Sequence, residues 1–149
     1  MKWSHTALNC TDLARTEEFY TRWFGFRRVR AIDLGDTQIV FLKLGDAYLE
    51  LFSGTAVGAA DGRQAKADGP DLPGHTRHLA FQTDDVDAVL REMGPAAEVT
   101  HGPLDFDGFI PGWRSVWLAD PDGVTVEVSQ GYQDDPELVG AASATAGGA

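Results

Sequence analysis

The sequence carries one pattern twice, first as His5-Thr-Ala-Leu-Asn-Cys-Thr-Asp-Leu13 and again as His78-Leu-Ala-Phe-Gln-Thr-Asp-Asp-Val86. Each copy begins with a histidine, alternates like a strand and ends in polar residues typical of a helix start. The two histidines are 78 − 5 = 73 residues apart. Apolar residues at helical spacing follow each copy, and Gly25 and Gly94 end the two predicted helices.

Each half of the chain then continues into a predicted β-hairpin. The first hairpin joins residues 40–44 to 48–52, and the second joins residues 115–118 to 125–129 through the turn Asp120-Pro-Asp-Gly123. The returning strands carry Glu50 and Glu127, which are 127 − 50 = 77 residues apart. A four-residue insertion therefore aligns the two halves, and the predicted fold class is α+β, built from two βαβββ modules.

We expect the two modules to form one domain over residues 1–139. The first module covers about 3–53 and the second about 75–132. The segment 53–74 is rich in Gly, Ala, Asp and Pro without periodicity, which is typical of a linker or mobile loop. Residues 140–149 are expected to be a disordered tail. A second irregular stretch, 102–114, contains Phe106, Phe109, Ile110 and Trp113, and it is open to two interpretations: a substrate lid, or a β-meander edge packed on the core.

The composition limits the classes of function. The chain has 149 residues, of which 43% are hydrophobic, enough for one real core. With 12 basic and 23 acidic residues the formal charge is −11, which disfavours nucleic acid and anionic membranes as partners. No apolar run has the length of a membrane span or the character of a signal peptide, so we expect a cytoplasmic protein. The single cysteine, Cys10, is interpreted as a core residue in an apolar strand.

Strand parity places four residues on one side of the predicted sheets, because successive side chains of a strand point to opposite faces. His5, Glu50, His78 and Glu127 each share a face with small, polar or aromatic residues, while the opposite faces are aliphatic. A carboxylate in the middle of an apolar strand is costly unless it is paired, protonated or bound to a metal. Two imidazoles and two carboxylates could hold one Zn, Ni, Co, Mn or Fe(II) ion and leave positions for water or substrate. Neither His75 nor His101 has the parity and the repeat partner of a ligand, and both are interpreted as loop residues.

These residues resemble the glyoxalase I or vicinal oxygen chelate superfamily over about residues 3–132. The resemblance is carried by the four residues above, the helix start 12–20 followed by Phe24-Gly-Phe26, and the Asp-Pro-Asp-Gly turn before Glu127. It implies a curved, partly closed mixed sheet around a central metal cleft, with the metal held by the four residues. It also implies isomerase, epimerase or lyase chemistry in which the metal binds the oxygens of an α-hydroxycarbonyl substrate and a glutamate moves a proton.

Bacterial glyoxalases of this type tend to place an arginine four residues after the first histidine, where this chain has Asn9. That departure puts glutathione in doubt as a cosubstrate. Arg114 is the remaining candidate to meet an anionic substrate, beside Trp113 and Phe109 in the aromatic stretch. The alternative is that Arg114 is a surface residue paired with some of the many aspartates.

Two other functions compete with proton transfer next to a carbonyl. The first is a non-haem Fe(II) dioxygenase using His5, His78 and Glu127, against which Glu50 argues because a fourth protein ligand takes a position that O₂ and substrate need. The second is a small-molecule binding or resistance protein, whose relatives generally lack the ligand residues.

Related proteins pair their modules within one chain or exchange them across a dimer, so we expect a homodimer and leave open whether each site is intrachain. Of the two candidate catalytic residues, Glu127 is predicted to be the base, because Thr125 and Ser129 beside it are small. Glu50 is predicted to be held more rigidly between Tyr48 and Phe52.

Overall fold

The computed structural model describes residues 2–54 and 67–137. Most of the predicted linker and the whole predicted tail therefore lie outside the described residues. No helix within the described part is long and apolar enough to cross a membrane.

The first module has one helix and a four-stranded mixed sheet with the strand order β1-β4-β3-β2. Strands β1 and β4 are parallel, and the other neighbours are antiparallel. The elements in chain order are β1 His5–Asn9, α1 Leu13–Trp23, β2 Arg27–Asp33, β3 Gln38–Leu44 and β4 Ala47–Phe52.

The second module repeats this arrangement with the strand order β5-β8-β7-β6. Again the first and last strands of the module are parallel and the rest antiparallel. Its elements are β5 Leu79–Gln82, α2 Val86–Met93, a 3₁₀ turn Gly94–Ala96, β6 Val99–Asp105, β7 Arg114–Ala119 and β8 Thr125–Gln130. The two predicted βαβββ modules are thus confirmed, as two separate four-stranded sheets.

Strand β6 includes residues that the sequence pattern assigned to loops. Residues 102–105 belong to β6, which pairs with β7, so the beginning of the predicted irregular stretch is the edge of a meander. His101 also lies in β6 and stacks near Trp117, with ring centroids 5.3 Å apart, so its interpretation as a loop residue was wrong. The alternation of β6 is interrupted by register shifts, which explains why the sequence pattern missed this strand.

Matched caps begin the two helices at the repeat spacing. The Asp12 carboxylate accepts the Arg15 N–H at 3.1 Å, and the Asp85 carboxylate accepts the Ala88 N–H at 2.9 Å. The aliphatic strand faces pack under these helices, as parity predicted, and form one core from both modules, including Leu49, Leu51, Val126 and Val128. Cys10 is fully buried in this core, and burial raises the pKa of its thiol to about 11, which agrees with its interpretation as a core residue.

The Asp-Pro-Asp-Gly turn clamps the second module to the first. The buried Asp120 carboxylate accepts the Tyr20 hydroxyl at 2.9 Å and the N–H groups of Asp122 and Val124. Asp122 in turn accepts hydrogen bonds from Thr11, through its N–H and its hydroxyl, and from the Thr16 hydroxyl. This turn is therefore more than a hairpin connection, because it fixes the start of α1 against β8.

Candidate metal half-sites

In the first module His5 and Glu50 come together through strand register. Glu50 pairs with Ala7 of the parallel strand β1, and His5 lies two residues before Ala7 on the same face. His5 Nε2 is 3.3 Å from Glu50 Oε2, and the Ser4 hydroxyl lies 3.0 Å from His5 Nδ1. Phe41 is opposite Glu50 in β3, and its ring is edge-on to the His5 ring.

The second module builds the same pair at the same register. Glu127 pairs with Ala80, and His78 lies two residues before Ala80, immediately ahead of β5. His78 Nε2 is 2.9 Å from Glu127 Oε2. Trp117 takes the place that Phe41 has in the first module, opposite the glutamate and edge-on to the histidine. We refer to His5 with Glu50 as the N half-site and to His78 with Glu127 as the C half-site.

The separations within the half-sites suit two ligands of one ion. Ligand atoms about 2.1 Å from a metal lie about 3.0 Å apart at a right angle and about 3.4 Å apart at a tetrahedral angle. The observed 3.3 Å lies within that range, and the observed 2.9 Å lies just below it.

The hydrogen bonds of His78 define what can lie between its Nε2 atom and Glu127. Its Nδ1 is 2.7 Å from the Asp68 backbone carbonyl, which only accepts, so Nδ1 must carry a hydrogen. In a neutral ring Nε2 then has a lone pair, and it faces a carboxylate oxygen 2.9 Å away. Two acceptors at this separation need a proton or a metal cation between them.

The chain brings the four predicted ligands together in pairs, not as a set of four. Among residues 2–54 and 67–137 no group of three or more His, Cys, Asp or Glu side chains is arranged to hold a metal. A helix-side cleft of about 340 Å³, lined by residues of α1 and of the turns near residues 95 and 121, contains none of the four. The two half-sites are therefore separate features of the sheet faces.

The predicted substrate-binding residues have different environments. The Arg114 guanidinium contacts the carboxylates of Asp105 at 2.7 Å and Asp87 at 3.1 Å, which matches the alternative interpretation, an arginine paired with aspartates. Asn9 is exposed at the end of β1, and Phe109 is 81% exposed. Trp113 is half-buried, stacks on Phe106 with centroids 4.7 Å apart, and donates its indole N–H to the Ser129 hydroxyl at 3.0 Å.

Sequence reasoning missed the residues that surround the C half-site. The Ser115 hydroxyl is 2.6 Å from Glu127 Oε1 and 2.9 Å from the Ser129 hydroxyl. The small size of Ser129 predicts room beside Glu127, but Ser129 is buried and engaged in hydrogen bonds. Hairpin register, which pairs Ser115 with Ser129, was the signal available in the sequence.

Comparison with known proteins agrees with this architecture. The family model of the Glyoxalase/Bleomycin resistance protein/Dioxygenase superfamily matches residues 2–128. The chain belongs to this superfamily. It is the vicinal oxygen chelate superfamily that the sequence resembled, whose members bind small molecules and typically use a divalent metal.

Solved structures of this superfamily cover most of the chain. A lactoylglutathione lyase from Agrobacterium tumefaciens is 28% identical, with 87% of this chain and 93% of that chain covered and a TM-score of 0.56. A glyoxalase family protein from Enterococcus faecalis is 29% identical, with 84% and 94% covered and a TM-score of 0.60. TnmS3, an antibiotic binding protein from Streptomyces, shares the fold at 23% identity, with 89% and 97% covered and a TM-score of 0.59. No curated protein matches the chain.

Proposed function

We propose that this superfamily member is a metal-dependent enzyme of the glyoxalase I type that transfers a proton next to a carbonyl group of a small oxygen-rich substrate. The observation that supports the proposal is the repeated His–Glu pair, at one register in both modules, with ligand-like separations of 3.3 and 2.9 Å. The donor set of two imidazoles and two carboxylates fits Zn, Ni, Co, Mn or Fe(II). When bound, such an ion would polarise the substrate carbonyl and stabilise the enolate.

A complete site requires two half-sites, and we propose that the N half-site of one chain joins the C half-site of a second copy. Two donors are fewer than the three or four protein ligands of ordinary catalytic sites. In β1 the ligand-bearing face is exposed at His5, Ala7 and Asn9, so it is available to a partner. A symmetric homodimer would then contain two composite sites.

Within the composite site Glu127 is the proposed base. It would accept the proton from the carbon beside the carbonyl, so that the C–H bond breaks and a carboxyl O–H forms, and it would return the proton to the neighbouring carbon. This transfer is an isomerisation and needs no external oxidant. Glu50 would serve as a ligand of the metal.

Elemental analysis tests the metal: about one divalent ion per composite site is expected, and chelation should abolish turnover reversibly. Turnover is measured as deuterium exchange from solvent into α-hydroxycarbonyl candidates, with lactoylglutathione among them. Activity that persists in rigorously metal-free protein would contradict the proposal. A strict requirement for Fe(II) with O₂ would indicate a dioxygenase, and tight ligand binding without turnover would indicate a binding protein.

Co-expression of two inactive chains tests the composite site. His5→Ala and His78→Ala should each lower metal affinity by more than about 100-fold, since loss of a ligand exceeds the loss of an outer partner. In a random mixture half of the dimers contain one chain of each kind, and one of their two sites is intact. Metal and activity should therefore return to about a quarter of the wild-type level.

His75→Ala is the matched control, because His75 is an exposed histidine outside both half-sites. If the wild type binds metal but the mixture stays empty, the four ligands come from one chain. If the wild type binds no metal, the proposed function is wrong.

A further inference from the structure

A buried chain of hydrogen bonds leads from the aromatic loop to one oxygen of Glu127. The Trp113 indole nitrogen lies 3.0 Å from Ser129 Oγ, Ser129 Oγ lies 2.9 Å from Ser115 Oγ, and Ser115 Oγ lies 2.6 Å from Glu127 Oε1. Ser115, Ser129 and Glu127 are 0%, 7% and 8% exposed. Water therefore has little access to this chain, and its members must satisfy one another.

The two end groups of this series of hydrogen bonds determine which atom donates at each step. An indole N–H can only donate, and an ionised carboxylate can only accept. Each serine hydroxyl has one hydrogen, so Trp113 donates to Ser129, Ser129 donates to Ser115, and Ser115 donates to Glu127. Hydrogen bonds aligned in this way polarise one another, which strengthens the last bond of the series.

Within residues 2–54 and 67–137 the N half-site has no counterpart to this series of hydrogen bonds, although its backbone register is the same. Ser115 pairs with Ser129 across the second hairpin, and the corresponding pair of the first hairpin is Ile39 with Phe52. Hydrocarbon side chains cannot donate to Glu50. The chain is therefore a feature of the C half-site and not a consequence of the repeated fold.

We propose that Ser115, supported by Ser129 and Trp113, is a positioning residue that holds Glu127 Oε1 and leaves Oε2 to the reaction. The catalytic consequence rests on the proposed function. With Oε1 anchored by Ser115, Oε2 would be the oxygen that accepts a proton, and the side chain would stay ordered while it does so. The same series of hydrogen bonds joins Glu127 to the loop 106–113, since Trp113 belongs to this loop and stacks on Phe106. Trp113 also lies edge-on to Tyr132, which follows β8.

Metal binding by defined variants tests the proposal without a substrate. With Co²⁺ as the probe, Ser115→Ala should weaken binding about 10-fold and change the visible absorption spectrum, because an outer partner orients its ligand. Trp113→Phe keeps the aromatic packing and removes the N–H, and it should weaken Co²⁺ binding about 3-fold. Ser53→Ala is the control, because the Ser53 hydroxyl accepts the Gln38 N–H at 2.7 Å and Ser53 belongs to neither half-site. It should bind Co²⁺ like the wild type.

The double variant Ser115→Ala with Trp113→Phe tests whether Trp113 acts on Glu127 through Ser115 or independently of it. If Trp113 acts through Ser115, adding Trp113→Phe to Ser115→Ala should cost nothing further, whereas independent structural effects would multiply. Ser115→Thr restores the hydroxyl and should recover most of the Co²⁺ affinity. Wild-type affinity in Ser115→Ala, multiplicative losses in the double variant, or no recovery in a folded Ser115→Thr would each overturn the proposal.

Crystal structures of the metal-free wild type and of Ser115→Ala separate this proposal from the proposed function. Glu127 should have one conformer bonded to Ser115 in the wild type and more than one conformer in the variant. The same single conformer in both proteins would overturn the positioning role even if the metal binds. If instead the wild type shows no Co²⁺ binding but the conformers behave as expected, the positioning role stands and the proposed function fails.

Discussion

The two half-sites have the same backbone and different surroundings. In both modules a glutamate on the last strand faces a histidine two residues before its strand partner, and an aromatic ring lies opposite the glutamate. Glu127 nevertheless accepts a hydrogen bond from the Ser115 hydroxyl in addition to its contact with His78. Glu50 lies beside Phe52, and in the described part of the chain its one polar side-chain contact is with His5. Register therefore sets where a His–Glu pair forms, and the neighbouring side chains set how firmly each carboxylate is held.

The asymmetry extends to the two hairpin turns. The first turn, at Gly45 and Asp46, is exposed. The second contains the buried Asp120, whose carboxylate receives the Tyr20 hydroxyl from the other module. One module thus carries both the glutamate with more hydrogen bonds and the turn that joins the modules, while the other presents the more exposed His–Glu pair.

Replacing the two glutamates one at a time should produce the largest difference between the two half-sites. Glu127→Gln should retain metal but lower kcat about 100-fold or more, because an amide keeps a ligand oxygen and loses its basicity. Glu50→Gln should cost less in turnover and more in metal affinity. Both are measured by deuterium exchange and by metal titration of the same preparations. The opposite pattern would make Glu50 the base, and unchanged exchange in both variants would remove proton transfer as the chemistry.

The clamp predicts an effect on stability with a defined dependence on pH. Asp120→Asn should lower the free energy of unfolding by about 2 kcal/mol, roughly 30-fold in the folding equilibrium, since two oxygens that accept three hydrogen bonds are replaced by an amide with one acceptor oxygen. Burial raises the pKa of Asp120, so the folded state holds this proton more firmly than the unfolded chain does. The wild type therefore loses stability as the pH rises from the unfolded pKa through the folded pKa, and the variant does not.

Urea unfolding of both proteins between pH 4 and pH 7 checks this expectation. The difference in stability between wild type and Asp120→Asn should narrow as the pH rises through this window. A difference that widens would show that the ionised carboxylate is the favoured form in the folded protein. Asp46→Asn, in the exposed turn of the first module, is the matched control and should leave stability unchanged within about 0.5 kcal/mol.

The sequence predicted the repeat, and strand parity predicted that His5, Glu50, His78 and Glu127 each lie on the less apolar face of a strand, because both depend on backbone periodicity. Strand parity needs only residue spacing, and the 73-residue offset recurs in the caps at Asp12 and Asp85. The hydrogen-bond partners of the turn aspartates and of His78 could not be predicted from periodicity. Asp120 and Asp122 were visible as turn residues, but their partners Tyr20, Thr11 and Thr16 are 100 or more residues away in the chain. The carbonyl that orients His78 is a backbone atom of Asp68, which no side-chain pattern reveals.

The outer partners of the two histidines give the last and smallest test of the asymmetry. His5 Nδ1 is next to the hydroxyl of Ser4, which is exposed, so water can replace that hydroxyl and Ser4→Ala should weaken Co²⁺ binding by no more than about 3-fold. The Asp68 carbonyl beside His78 cannot be deleted, but it can be displaced. Gly69 has φ +116°, and a Cβ there would lie 1.8 Å from the Arg77 carbonyl oxygen, so Gly69→Ala must shift this segment.

We expect Gly69→Ala to weaken Co²⁺ binding about 10-fold, because His78 loses the acceptor that fixes its tautomer and orientation. Gly74→Ala is the control for loop strain: Gly74 also has a positive φ of +81°, but a Cβ there meets nothing within 4 Å. Competition titrations of the four proteins measure the order. Equal losses from Ser4→Ala and Gly69→Ala would mean that the two half-sites support their histidines equally, and a matching loss from Gly74→Ala would assign the effect to the backbone of the loop. If only Gly69→Ala binds Co²⁺ much more weakly than the wild type, the asymmetry between the half-sites extends from the glutamates to the histidines.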